Sequence, residues 1–289
     1  MSDGVLASPN PAPPAPTMGG AFVQDEAARA AFVARQRYLM WRKRVLPVAA
    51  VVGLVIAWWL GVVLFGIQPF IAPSPVAVAQ TLAAKFGMLM ANLAPTAIEA
   101  VLGFLLGNFA AIAIASVFVL RRTMEEAFFP IAVMINTIPV VAKAPILVLL
   151  LGNGMEPKIA IAALICFFPT LVNMTRGLRD VRSEQLDLMH VLSASPREVF
   201  FKLRVQNSLP YLFSALKIAA STAVIGAIVG EWIGSNVGIG ALIIQATYNF
   251  DSALLYATIV VGSTFSALFF AVISLAERRI LKWNIGRVS

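Results

Sequence analysis

Between residues 92 and 120 the chain carries a single charged side chain, Glu99, in an otherwise apolar run. A bilayer core of about 30 Å takes about 20 helical residues to cross, and within it only a helix or a closed barrel satisfies its own backbone. A run of this length is therefore read as a membrane-spanning helix. The pattern recurs at residues 45–67, 127–150 with Lys143 inside, 159–175, 211–230 with Lys217 inside, and 252–276. These six stretches predict an all-α membrane protein of six transmembrane helices, with both termini on one side. Composition agrees: 60% hydrophobic and 12% charged residues, with mean hydropathy +0.86, exceed what a water-soluble core of 289 residues would bury.

The net charge of +8 is read as basic loops against anionic lipid, with no nucleic-acid partner. With the N-terminus in the cytoplasm, the inner segments 1–44, 121–126, 176–210 and 277–289 carry 18 of the 22 basic residues, and the outer segments carry Lys85 and Lys158. That bias predicts two cytoplasmic termini. Residues 1–24, rich in proline, read as a disordered cytoplasmic tail, 25–44 as an interfacial helix, and 45–285 as the transmembrane domain. One cysteine, Cys166, excludes an internal disulfide and a cysteine-based metal site. No glycine-rich loop of the Walker type is present, so the chain is not expected to bind or hydrolyse ATP.

The most polar internal segment, residues 177–210, reads as two short helices around a turn at 193–195. Ser183 is placed to cap the first. Ser195, Pro196 and Glu198 supply an N-cap hydroxyl, a proline at the first helical position and an acid that closes a capping box. Glu198 and Lys202 stand four apart and can pair. Pro210 is expected to end this helix before the next span.

The stretch GLRDVRSEQLDLMHVLSASPREVFFKLRVQNSLPYLFSALK resembles the cytoplasmic signature loop of ABC importer permeases, written E-A-A, three residues, G, nine residues, I-x-L-P. Here Asp187 is the acid, Leu188 and Met189 replace the alanines, Ser193 replaces the glycine, and Gln206 stands where proline is usual. INTIPVVAKAPILVLLLGNGMEPKIAIAALICFFPTLVNMTRGL and IGAIVGEWIGSNVGIGALI resemble the third to fifth spans of the nitrate, taurine, aliphatic sulfonate and thiamine-precursor or riboflavin importer permeases. The resemblance covers about residues 70–285. It implies a type I ABC importer permease (MetI-like) fold in the bacterial inner membrane. It implies two permease copies as a homodimer, two cytoplasmic ABC ATPase subunits that bind ATP and Mg, and an extracytoplasmic substrate-binding protein. The implied coupling surface is Glu184, Asp187, Leu188, Met189, His190, Leu192, Ser193 and Ala194. Because the family's glycine is Ser193 here, the turn either uses ordinary dihedrals or carries about 1 kcal/mol of strain.

Inside the spans, Gly103 and Gly107 form one GxxxG, and Gly226, Gly230 and Gly234 continue another; both permit close helix packing. Glu99, Lys143 and Glu231 cannot cheaply face hydrocarbon. They are read as part of a translocation pathway, with Asn136 and Thr137 beside it; the alternatives are a Glu99–Lys143 salt bridge and, for Glu231, a solvated boundary acid before a loop or re-entrant turn at 235–240. Pro139 and Pro145 are expected to interrupt the third span and Pro169 to bend the fourth. The substrate expected from the resemblance is a small vitamin precursor, such as a thiamine pyrimidine precursor or riboflavin. Sulfonate, taurine or nitrate import remains open, as does a secondary transporter or a membrane scaffold.

Overall fold

The computed structural model describes residues 18–281 and divides into two units, up to Leu64 and from Phe65 onward. The first unit is one helix, α1 (Met18–Leu64), which runs through Pro47. Residues 18–24, assigned above to the tail, begin that helix, and the expected interfacial helix continues into the first span without a break. The rest of the tail lies outside the described residues.

The second unit consists of α2 (Pro75–Ala84), α3 (Phe86–Leu120), α4 (Arg122–Thr137), α5 (Val140–Leu151), α6 (Glu156–Arg179), α7 (Ser183–Val191), α8 (Pro196–Glu231), α9 (Ile239–Tyr248) and α10 (Ser252–Ile280). Ser74 starts α2 by accepting the Ala77 N–H, with Pro75 at the first helical position. Asp251 starts α10 by accepting the Leu254 N–H.

Among the described residues, five helices are long and apolar enough to cross a membrane, and a sixth crossing requires α4 and α5 to act together across a bend of 100°. The bend falls at Ile138, whose ψ of 125° is extended. Proline at 139 clashes with a helical preceding residue, and this puts the break where it is. Pro145, by contrast, lies within an unbroken α5. Pro210 does not end a helix either: α8 continues through it to Glu231, and the irregularity lies upstream as a π-helical stretch, Val199–Arg204. There the Val205 N–H reaches back to the Phe200 carbonyl, the wider turn typical of π-bulges. Residues 239–248 form the short apolar α9.

α6 is the centre of the bundle, packed chiefly against α8 on one side and α3 on the other. Its neighbours meet it through missing side chains. A Cβ added to Gly103 would stand 2.4 Å from the Ala162 methyl, one on Gly107 2.3 Å from the Ala163 carbonyl oxygen, and one on Gly226 2.7 Å from the Ala162 Cα. Gly230 approaches Lys158 in the same way, at 3.1 Å. In lipid, helices gain little from hiding apolar surface, so backbone proximity and van der Waals contact drive association. The core accordingly is rich in alanine: Ala100, Ala219, Ala220, Ala223 and Ala227 surround Phe104, Cys166 and Val224. Gly234 is different. It lies past the end of α8 with φ +75°, a turn position beside Asn153, not a packing face.

Two buried polar contacts tie the same three helices. The Thr170 hydroxyl donates to Asn108 Oδ1 at 2.6 Å, joining α6 to α3. The Cys166 thiol donates to the Ala219 carbonyl at 3.3 Å, joining α6 to α8.

Candidate functional site

The candidate residues fall into three places, set by where helices start and stop. At the end of the bundle far from α7, Glu99 and Glu231 are each 1% exposed and Lys158 is 5% exposed. Thr96, one turn before Glu99 on α3, donates its hydroxyl to Glu231 Oε1 at 2.6 Å and accepts the Ile239 N–H at 2.8 Å. Glu231 Oε2 accepts the Gly240 N–H at 2.5 Å. Lys158 donates to Ser235 Oγ at 2.9 Å and stands 3.6 Å from Glu99 Oε1. Asn92 Oδ1 accepts the Gly238 N–H at 3.0 Å. The turn between α8 and α9 is thus fastened to α3 and α6.

Two glycines make room for the Glu231 carboxylate. Gly238 holds φ +114°, and a Cβ on it would lie 2.1 Å from Glu231 Oε1. A Cβ on Gly240 would lie 2.2 Å from the Ile228 carbonyl oxygen. The Gly240 N–H in the first turn of α9 therefore reaches the carboxylate directly, the arrangement that favours an anion at a helix N-terminus.

Glu99 does not pair with Lys143. Its cation is Lys158, assigned above to an outer connecting segment. The sequence contained the correcting signal: Glu156 and Pro157 are an acid and a proline at a helix start, which places Lys158 inside α6.

Lys143 lies beyond the elbow on α5, half-buried in a cleft of about 60 Å³. Asn136 at the end of α4 and Phe167 and Phe168 on α6 line the same cleft. The bend at Ile138 folds α5 back so that Asn136 and Lys143 share one opening. Thr137 donates to the Met134 carbonyl at 2.7 Å and is exposed, outside that lining.

The third place is α7. Leu188, Val191 and Leu192 are 59%, 81% and 66% exposed, an apolar edge flanked by the exposed Glu184, Asp187 and His190, while Met189 and Ala194 are half-buried. Ser183 is the first helical residue and Arg182 occupies the cap position without a side-chain hydrogen bond. The turn after α7 is well formed: Ser193 N–H reaches the His190 carbonyl at 2.9 Å and Ala194 N–H the Met189 carbonyl at 3.0 Å. This is the paired closure of a Schellman motif, whose pivot adopts left-handed dihedrals. Ser193 does so, with φ +52°. Serine therefore adopts the strained form of the two considered from sequence.

The restart follows the sequence expectation. Ser195 Oγ accepts the Glu198 N–H, Glu198 Oε2 accepts the Ser195 N–H at 3.0 Å, and Lys202 pairs with Glu198 at 2.8 Å. The hairpin is anchored to the bundle by Arg204, which donates to the Leu178 carbonyl at 3.0 Å, and by Asn207 and Tyr211, which donate to the Asp180 carbonyl and carboxylate. Arg179 donates to Glu125 on α4 at 2.7 Å. These anchors were missed from sequence because their partners are 26 to 54 residues apart.

No group of three or more His, Cys, Asp or Glu side chains suited to a metal ion occurs among the described residues.

The family described as binding-protein-dependent transport system inner membrane component matches residues 103–282. A probable ABC transporter permease protein of Haemophilus influenzae is 36% identical over 244 residues, covering 84% of this chain and 99% of that protein. The formylaminopyrimidine transport permease protein of Halalkalibacterium halodurans is 32% identical, covering 80% and 92%. The riboflavin transport system permease protein of Chloroflexus aurantiacus is 31% identical, covering 84% and 91%. Among solved structures, the MetNI methionine ABC transporter in inward facing conformations matches with a TM-score of 0.51 at 18% identity, over 70% of this chain and 97% of that one. That likeness shows the fold.

Proposed function

The chain belongs to the family of binding-protein-dependent transport system inner membrane components, and from that membership we propose that it imports a flat heteroaromatic vitamin precursor of the pyrimidine or flavin kind. It is a transmembrane, non-catalytic permease subunit of an ABC importer. The observation that carries the substrate reading is the likeness to the formylaminopyrimidine and riboflavin permeases; the elbow, whose cleft of about 60 Å³ is too small to enclose such a ring, contributes only its side-chain chemistry. One amide, one ammonium and two phenyl rings meet there, at Asn136, Lys143, Phe167 and Phe168. Aromatic faces and a few directed polar groups suit a planar ring with a hydrogen-bonding edge. An anion pathway calls for converging positive groups, and Lys158 is already engaged by Glu99 and Ser235.

In this reading two identical copies form the pathway, and an extracytoplasmic binding protein delivers substrate. Two cytoplasmic ATPase subunits, which carry ATP and Mg, each receive an α7. Basic residues concentrated around α7 and at both ends of the chain support a cytoplasmic side for those segments, and in the same reading α4 and α5 together make one crossing. Closure of the ATPases then moves the hairpin and biases the bundle between outward and inward access.

The test is uptake into proteoliposomes holding the permease, its ATPase and its binding protein. Saturable uptake of formylaminopyrimidine or riboflavin that requires ATP is the expected result, with Asn136→Ala and Phe168→Ala lowering it while assembly is unchanged. Uptake of an alkanesulfonate or nitrate in place of any heteroaromatic overturns the substrate. Uptake without the ATPase overturns the mechanism, and stable assembly with no transport across the panel leaves a scaffold.

A further inference from the structure

The charges at the end of the bundle far from α7 do not balance. Glu99 on α3 and Glu231 on α8 face one cation, Lys158 on α6, and all three are at least nine-tenths buried. α9 contributes only the N–H groups of Ile239 and Gly240, and the preceding turn contributes the Ser235 hydroxyl. The ionisable groups of this network are therefore Glu99, Glu231 and Lys158. Two ionised carboxylates would leave a net negative charge in a water-poor site, which is costly unless a further positive charge is supplied.

The hydrogen bonds say which carboxylate is the anion. Both Glu231 oxygens accept donors, Oε1 from Thr96 and Oε2 from Gly240. Glu99 is the opposite case: Oε1 faces Lys158 at 3.6 Å, and the buried Oε2 has no partner among the described residues. A buried unsatisfied oxygen needs an explanation, and so does the excess of buried negative charge. One proton answers both demands.

We propose that Glu99, Glu231 and Lys158 form a buried one-proton binding site, with the hydrogen on Glu99. Protonated Glu99, ionised Glu231 and ammonium Lys158 then sum to zero charge. The site holds the α8–α9 turn against α3 and α6 through a neutral network, independently of which substrate the permease carries.

Infrared spectra of the purified full-length permease in lipid nanodiscs, in light and heavy water at neutral pH, test this directly. Wild type is expected to show the carbonyl stretch of a protonated carboxylic acid, shifted by deuteration. Glu99→Gln should fold, since its amide N–H replaces the acid hydrogen, and should lose the band. Glu231→Gln should also lose it, because a lone Glu99 then ionises against Lys158. Lys158→Met should roughly double it, because both carboxyls then hold protons. Absence of the band in wild type, its persistence in Glu99→Gln, or no gain in Lys158→Met overturns the proposal. The last reading stands even where Glu99→Gln fails to fold.

Discussion

Gly103 and Ala162 touch so closely that the hydrogen on one and the methyl of the other fill the whole space between α3 and α6. A Cβ on Gly103 would approach the Ala162 methyl to 2.4 Å and the Ile159 carbonyl oxygen to 2.8 Å. Gly103→Leu should therefore destabilise the bundle by about 1–3 kcal/mol, the usual cost of overpacking. Gly87→Leu is the control, because nothing lies within 4 Å of an added Cβ there. Thermal denaturation in detergent, followed by size-exclusion recovery, checks the difference.

Ser193 should improve on replacement by glycine. Its left-handed φ of +52° costs an L-residue about 1 kcal/mol, and glycine removes that cost while giving back part of it through a freer unfolded chain. We expect Ser193→Gly to raise hydrogen-exchange protection of the Ser193 and Ala194 amides, and Ser193→Val to lower it. Equal protection in all three proteins would mean that the turn carries no strain.

The apolar edge of α7 should report on ATPase binding. Leu188→Asp puts a charge on a side chain that is 59% exposed, so the fold has little to lose. If Leu188 enters an ATPase groove, the loss should exceed 1.4 kcal/mol, about tenfold in affinity. Titration of purified ATPase onto permease nanodiscs measures it. Unchanged affinity would put the coupling surface elsewhere on the hairpin.

Lys85 and Asp251 give a pH prediction. The ammonium lies 2.8 Å from Asp251 Oδ2 and, with the Leu254 N–H, holds the carboxyl below its ordinary value against the opposing effect of partial burial. A lowered folded pKa means stability that is present above the unfolded value of about 3.9 and lost as pH falls through the folded one. The deficit of Asp251→Asn should therefore be constant from about pH 5 to 8 and vanish in stronger acid. The ion pair is partly exposed, so Lys85→Ala should cost no more than about 1 kcal/mol. Asp251→Ala should cost more, because it also removes the α10 cap. A melting series across pH decides the sign.

How much of this was readable in advance depends on how local each determinant is. The Ser195, Pro196 and Glu198 restart was legible because all its bonds close within four residues. The span at α3 was legible because its length alone excludes other structures. The third span was expected to be interrupted at Pro139, but a bend of 100° depends on where α5 packs and has no local signature. Pro210 misled because a helix end and a proline carried through a long helix look alike until the upstream π-turn is seen. Glu99 was correctly singled out as needing company. Its partner was misassigned because pairing is set by the facing register of α3 and α6, which no span-by-span reading contains.

That register has a mechanical consequence. Advancing α6 by one turn along its neighbours would bring Cys166 and Phe167 to the places where Ala162 and Ala163 now meet Gly103, Gly107 and Gly226. Neither side chain fits a gap already closed to a methyl. The three helices are therefore keyed at one axial position, like a shaft with no travel. A push on the hairpin between α6 and α8 is therefore not taken up by a one-turn slip of these helices. The sharp bend at Ile138 and Pro139, between α4 and α5, lies outside this keyed set of helices.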